Sequence, residues 1–298
     1  MKRFLLLAVA LIASVPAHAA VDVFTCEPEW YALTQELGGD KVKVFAATTA
    51  LEDPHHVQAR PSLIARIRRA DLLVCTGAEL ETGWLPLLLR RSANGNIQPG
   101  RPGYFEAASF VTLKEVPQHL DRAEGDVHAA GNPHIQNDPR NIAQVAEALG
   151  ARLAVLDSAN ASYYQQRLSS FRSRWQEAMQ RWRREAAPLR GVSIVTQHKG
   201  WIYLIDWLGL KEVATLEPRP GVPPTSAYLS EVLQRIRSTP TKAAIHAAYQ
   251  DPRPTEWFAS HSDIKGVTLP FTVGGTEGAN NLFAFFDDTI RRLLEAAR

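Results

Sequence analysis

The stretch Asn137–Leu189 constrains the fold more than any other part of the chain. It reads NDPRNIAQVAEALGARLAVLDSANASYYQQRLSSFRSRWQEAMQRWRREAAPL, and almost all of it has helical character. Asp138 is a good N-cap, and Pro139 follows at the first helical position, where its missing N–H costs nothing. Ile142, Val145, Ala146, Leu149, Leu153 and Leu156 recur at helical spacing. A polar break at 158–160 restarts the pattern. Tyr164, Leu168, Phe171, Trp175, Met179 and Trp182 then continue it, until Pro188 and Gly191 stop it. A helix of about 25 residues spans roughly 37 Å at about 1.5 Å per residue, the width of a small domain. A core helix or a coiled-coil arm would share this pattern. Strand–helix alternation on both sides makes it a rigid spacer between two lobes.

On the N-terminal side VDVFT, DKVKVFAAT and DLLVCTG read as strands. PEWYALTQELGG, RPSLIARIRRA and GWLPLLLRR read as the helices between and after them. Residues 92–137 are rich in Gly, Pro, Asn and His, with one short strand expected near SFVTL. Beyond the spacer GVSIVTQ, EVATLE, KAAIHAAY and GVTLPF read as strands. WIYLIDWLG, TSAYLSEVLQRIRS and NNLFAFFDDTIRRLLEAA read as helices. Alternation of this kind implies right-handed βαβ units. The expected fold is α/β: two Rossmann-like lobes with mostly parallel sheets, at residues 20–137 and 190–298, joined by a helical spacer at 138–189. Ligands of such sheets bind beyond the carboxyl ends of the strands, which is where chemistry is to be sought.

The first nineteen residues, MKRFLLLAVALIASVPAHA, combine a basic start, a short apolar run and a small-x-small end, the pattern of a cleavable secretory signal. No cysteine stands at the cleavage point, so no lipid anchor is expected and the mature protein should be soluble and exported. Loss of Lys2 and Arg3 with the leader leaves 31 basic against 31 acidic residues. That balance argues against broad electrostatic binding of nucleic acid or anionic lipid. Cys26 and Cys75 each sit at the end of a short strand. In an oxidising compartment they would pair if those strands are neighbours, and would otherwise be two separate buried thiols.

Eight histidines survive cleavage. His55 and His56 follow the strand VKVFAAT, His134 precedes the long helix in GNPHIQNDP, and His198 follows VSIVT directly. Singly each is an ordinary loop histidine. Together they place three loops from two lobes at carboxyl edges, and three imidazoles suit Zn²⁺ better than hard-oxygen cations. His119 and His128 lie in the irregular loop, His246 in an apolar strand as a core residue, and His261 on the surface.

The segments DPHHVQARPS, ADLLVCTGAELE, GNPHIQNDPRNI, the spacer helix and TQHKGWIYLIDWLGL carry a resemblance over essentially the whole mature chain. It resembles the periplasmic zinc- and manganese-binding proteins of ABC importers (the cluster 9, or A-I, solute-binding family). The resemblance implies a non-enzymatic periplasmic monomer carrying one Zn²⁺ as cargo, with Mn²⁺ less favoured. Its implied partners are an inner-membrane ABC permease and a periplasmic metallochaperone. The ligands implied are His55, His134 and His198. Zinc-type members commonly carry histidine at the third position, where manganese-type members tend to carry a carboxylate. The family usually adds an aspartate in a turn near the C-terminus. Here that place reads TLPFTVGGTEGANN, so Glu277 is the nearest acid for a fourth ligand, with His56 or a water as alternatives. The long histidine-rich loop of some zinc members is reduced to HLDRAEGDVHAAGNPH, whose His119 and His128 are candidates for handing metal to the site.

Other classes fit less well. A zinc hydrolase needs a general base, often within H-E-x-x-H, and neither that motif nor a G-x-S-x-G elbow occurs. A binder of an organic ligand or metal chelate would use Trp84, Trp201, Tyr203 and Trp207 to line a cleft, but at helical spacing such residues are more often core. An adhesin role suits surface-anchored relatives.

Overall fold

The computed structural model describes residues 20–118, 125 and 128–298. The expected signal segment and His119 lie outside them. The N-terminal sheet is formed by β1 (Val21–Thr25), β2 (Val42–Ala46), β3 (Leu72–Cys75) and β4 (Tyr104–Glu106). It is four-stranded and parallel throughout, in the order β2-β1-β3-β4. Helices α1 (Pro28–Gly38), α2 (Pro61–Ile67) and α3 (Leu85–Ser92) connect these strands. The C-terminal sheet repeats the arrangement with β5 (Ser193–Thr196), β6 (Lys211–Thr215), β7 (Thr241–Ala247) and β8 (Lys265–Leu269), parallel in the order β6-β5-β7-β8. Its helices are α6 (Ile202–Leu208), α7 (Ser226–Arg235), α8 (Arg253–Ser260) and α9 (Leu282–Ala297). Both sheets therefore have the doubly wound α/β character expected.

Two details differ from the sequence reading. The short strand of the irregular region is β4 at Tyr104–Glu106, while SFVTL lies in a 3₁₀ turn and extended chain. The reason is non-local: Tyr104 and Phe105 pair with Leu73 and Val74 of an already formed strand. Helix α8 was not anticipated. Pro252 and Pro254 suggest a turn, yet both stand at its start, where a missing N–H breaks no hydrogen bond.

Between the lobes the spacer is a helical hairpin, α4 (Pro139–Leu156) and α5 (Ala161–Glu185), turned by a 3₁₀ segment at Ser158–Asn160. The Asp138 carboxylate caps α4 by accepting from Arg140 N–H at 2.8 Å, as its position predicts. The two helices run antiparallel. Tyr164 donates its hydroxyl to Asp157 beside the turn, while Trp175, far along α5, donates its indole N–H to the carbonyl of Pro139 at 2.9 Å. Gly150 of α4 faces Leu168 so closely that a Cβ there would collide with it.

The long helix α5 touches both lobes. Toward the N-terminal lobe, Arg167 donates to the Glu36 carbonyl and Arg174 pairs with the Glu36 carboxylate. Toward the C-terminal lobe, Trp182 and Arg181 donate to Asp287 on α9, and Trp175 packs on Phe283 and Phe286. One apolar core runs from Val23 and Leu72 through Ile142, Trp175 and Trp182 to Ile245 and Phe285. Each sheet also keeps a smaller core on its outer face. The inner faces of both sheets thus share one water-excluded seam with the hairpin.

Cys26 and Cys75 are joined in a disulfide linking the carboxyl ends of neighbouring strands β1 and β3. Closure of a loop of 49 residues removes denatured-state freedom equivalent to roughly 4 kcal/mol in the chain-entropy account. Replacing both cysteines by alanine should lower unfolding free energy by about 2–4 kcal/mol. Urea unfolding of oxidised protein and double variant measures it, and equal midpoints would mean that this crosslink contributes nothing.

Candidate metal centre

His55, His134 and His198 meet between the lobes. One ligand atom from each lies within 4.8 Å of the other two, and all three side chains are buried. Ring centroids are 5.3 Å apart for His55–His134, 6.0 Å for His55–His198 and 5.8 Å for His134–His198.

Each ring is set by its own local device. Asp53, two residues before His55, accepts from the His55 backbone N–H at 3.0 Å and contacts its Nδ1 at 2.8 Å. Behind it, Trp84 donates its indole N–H to the Pro54 carbonyl, pinning the loop after β2. His198 directly follows the end of β5, and its Nδ1 lies 2.8 Å from the Glu217 carboxylate, just beyond β6. A carboxylate only accepts, so Nδ1 of both rings carries the proton and Nε2 is left with its lone pair. Nε2 of His55 is buried with no partner. Burial opposes ionisation of Asp53, but the hydrogen bond and charge of His55 hold its carboxyl below the usual range.

His134 is held by the loop that leads into α4. Its N–H donates to the Asn132 side-chain oxygen, whose amide group donates to the Lys199 carbonyl. Asn137 donates to the Gly200 carbonyl, so two asparagines stitch the His134 loop to the His198 loop. The approach is close enough that a Cβ on Gly200 would lie 3.2 Å from the His134 ring and 2.9 Å from Phe271. His134 is essentially inaccessible and its Nδ1 has no partner. Burial, then the charges of His55, His198 and His128, push its pKa well below the ordinary histidine value. It is therefore kept as a neutral imidazole, the form a metal requires.

The centre thus gathers three buried imidazoles, with Nε2 of His55 and Nδ1 of His134 unpartnered. Four-coordinate Zn²⁺ with Zn–N bonds of about 2.0–2.1 Å would hold nitrogens about 3.3 Å apart, a small contraction of the observed set. The residues present therefore suit a borderline-soft divalent ion.

The remaining sequence candidates fall elsewhere. His56 is exposed, with its ring 6.2 Å from that of His55. Glu277 is exposed in its glycine-rich turn and is not among the residues gathered at the centre. His246 is a buried residue of β7 bonded to Thr268, and His261 stacks on Trp257 at the surface. Trp84, Trp201 and Tyr203 are core, and Trp207 packs on Trp182 and Phe286, so the four do not line a cleft.

Sequence reasoning missed Asp53 and Glu217 as orienting groups. The signal available was an acid two residues from a candidate ligand for Asp53, and an acid just beyond a strand end for Glu217. It also missed a set of buried acids beside the centre. Glu27, Glu29 and Glu81 are all buried at the carboxyl ends of β1 and β3. Thr76 donates its hydroxyl to Glu27 and its N–H to Glu81, and Thr272 of the C-terminal lobe donates to Glu29. Burial, only partly offset by the Thr272 hydrogen bond and reinforced by the charge of Glu81, pushes Glu29 up to about 7. Glu81 is likewise pushed up to about 7, chiefly by burial.

The folded-state value of Glu29 lies above its unfolded one. The carboxyl therefore imposes no penalty below about pH 4.5, and a growing one as pH rises through about 7. Glu29→Gln, which still accepts from Thr272, should stabilise the metal-free protein at pH 8 by on the order of 2–3 kcal/mol and leave it unchanged near pH 4. Chemical denaturation at the two pH values tests this, and an equal effect at both would refute a buried titrating carboxyl.

The sequence profile of zinc-uptake complex component A, periplasmic, matches residues 23–296. The high-affinity zinc uptake system protein ZnuA of Bacillus subtilis (strain 168) is 23% identical over 272 residues, covering 90% of this chain and 83% of its own. The manganese ABC transporter substrate-binding lipoprotein PsaA of Streptococcus pneumoniae is also 23% identical, over 244 residues, covering 80% and 76%. Among solved structures, a crystal structure of ZnuA superposes with a TM-score of 0.78 at 20% identity, covering 94% of this chain and all of that one. The laminin-binding adhesin Lmb of Streptococcus agalactiae superposes at 0.76 with 21% identity. The likeness to these structures is one of fold. With its profile matched over nearly the whole described length, the chain belongs to the ZnuA family, the non-enzymatic, periplasmic metal-binding components of ABC importers.

Proposed function

We propose that the protein is a periplasmic Zn²⁺-binding protein that delivers its ion to an inner-membrane ABC permease, with His55, His134 and His198 as ligands. The observation that carries this reading is the convergence of three buried imidazoles, two of them oriented by carboxylates on Nδ1. An all-imidazole set favours Zn²⁺ over Mn²⁺, for which harder oxygen donors are better suited. One ion per chain is cargo rather than a resident cofactor, so the site must also let it go. Export behind a cleaved leader completes the reading, in which the protein works as a monomer.

The spacer limits how release occurs. A hairpin packed on both lobes resists bending without a break, so release calls for a modest lobe rotation or loop reordering rather than wide hinge closure. Reordering of the three loops that carry the histidines would have to open the hydrogen bonds that pin them.

Stripped protein offered equal Zn²⁺ and Mn²⁺ should retain about one zinc per chain, measured by metal analysis after desalting. His134→Ala should lose most of it. Because ligands must be neutral imidazoles, affinity should decline on acidification below about pH 6.5. No metal above background in the wild type would overturn the reading, and retention of manganese in preference to zinc would reassign the cargo.

A further inference from the structure

Three histidines leave a tetrahedral ion one ligand short, and the exposed Glu277 does not reach the centre. A fourth imidazole does stand there. The ring of His128 stacks on His55 with centroids 5.4 Å apart and planes inclined by 30°, and lies 6.4 Å from the His134 ring. The three buried histidines are themselves 5.3–6.0 Å apart by the same measure. Imidazoles on one tetrahedral zinc, each with its centroid about 3.2 Å from the ion, are separated by about 5 Å. His128 therefore approaches His55 at the spacing of a fellow ligand and stands somewhat farther from His134. Its nitrogens lie outside the tight group of ligand atoms and its ring is stacked over that of His55, so ligation calls for movement of this side chain.

Two backbone hydrogen bonds hold the chain at and just after His128. Its carbonyl accepts from Gly131 N–H at 3.1 Å, closing a short turn that runs on to Asn132 and His134. The N–H of the next residue, Ala129, donates to the carboxylate of Glu79. Glu79 reaches it from a loop after β3 in which Gly77, Ala78 and Glu79 all have positive φ, at 78°, 49° and 68°. Two successive non-glycine residues in the left-handed region cost about 1–2 kcal/mol each, in a turn whose Thr76 and Gly77 N–H groups donate to the buried Glu81 carboxylate. The loop presents Glu79 to the segment that carries His128.

Resting on the reading of the centre as a zinc site, we infer that His128 is the fourth protein ligand, completing an all-histidine set, and that Glu79 positions it. Of these four side chains His128 is the least buried, being only partly covered. It is thus the ligand at the solvent side, the first an incoming ion meets and the first to leave on release.

The test compares wild type, His128→Ala, Glu79→Ala, Glu277→Ala and His134→Ala in the full mature chain. Zn²⁺ affinity is measured by chelator competition and coordination by the visible ligand-field bands of the Co²⁺ form. His128→Ala should weaken Zn²⁺ binding at least about 10- to 100-fold, the range reached when even an outer-shell partner is lost, and should change the Co²⁺ bands. Glu79→Ala should move both readouts the same way by a smaller amount, and thermal unfolding of the metal-free variants should match wild type. Wild-type affinity and an unchanged Co²⁺ spectrum in His128→Ala, with binding abolished in His134→Ala, would overturn the inference and leave the zinc site standing. A loss confined to Glu277→Ala would overturn it in favour of the acid. Absence of zinc binding in the wild type would remove both.

Discussion

The packing of α5 against everything around it is the constraint on which this structure depends. Trp175 stacks on Phe171, meets Trp182, Phe283 and Phe286, and donates its one polar group to the Pro139 carbonyl. That single hydrogen bond has a long reach. Pro139 opens α4 immediately after Asp138, and His134 lies one 3₁₀ turn before it. Anchoring the start of α4 to α5 therefore also anchors the loop that carries His134. Large aromatic side chains are suited to this task, since each buries a wide apolar area in a defined ring geometry and still offers a directional N–H.

The metal centre then follows from how two similar sheets face each other across that hairpin. In both, the strand that begins the lobe lies between its neighbours, and chemistry gathers beyond carboxyl ends. The N-terminal sheet contributes His55 and the buried acids, and the C-terminal sheet contributes His198 with Glu217 behind it. Asparagine amides and the Thr272–Glu29 hydrogen bond join the two halves. Burial acts in opposite senses on the two kinds of group. It keeps His134 neutral and hence able to bind an ion, and it raises the carboxyls of Glu29 and Glu81 to about 7. The charge that does face the imidazoles is carried by Asp53 and Glu217, one on each lobe, where it orients a ring and adds to its basicity.

Much of this was legible in the sequence because it is written in local patterns. Helical spacing from Ile142 to Trp182, the Asp138-Pro139 start and the polar break at 158–160 determined the hairpin helices to within a residue or two. Strand–helix alternation determined the parallel sheets. Histidine beyond a strand end, read together with the family's segments, determined His55, His134 and His198 as the residues to watch. What the pattern left out was that α4 and α5 fold back on each other, since periodicity describes the faces of a helix and not what those faces meet.

Tertiary structure alone decided the rest, and the reason is the same in each case. β4 exists because Leu73 and Val74 offer it an edge, not because its own residues demand a strand. The disulfide required β1 and β3 to be adjacent, which neither cysteine's surroundings reveal. Glu217 becomes a ring-orienting group only when the loops after β5 and β6 meet, and Glu27, Glu29 and Glu81 become buried acids only in the folded chain, whereas Asp53 reaches His55 from two residues away. His128 approaches His55 across 73 residues of sequence, whereas Glu277, in a turn that the family pattern favoured, stays in solvent. The sequence by itself determined most of the helices and strands and pointed to imidazole as the candidate ligand, because these follow from the character and spacing of neighbouring residues. Which side chains share a point in space was decided by the packed seam between the lobes, through contacts that no local pattern encodes.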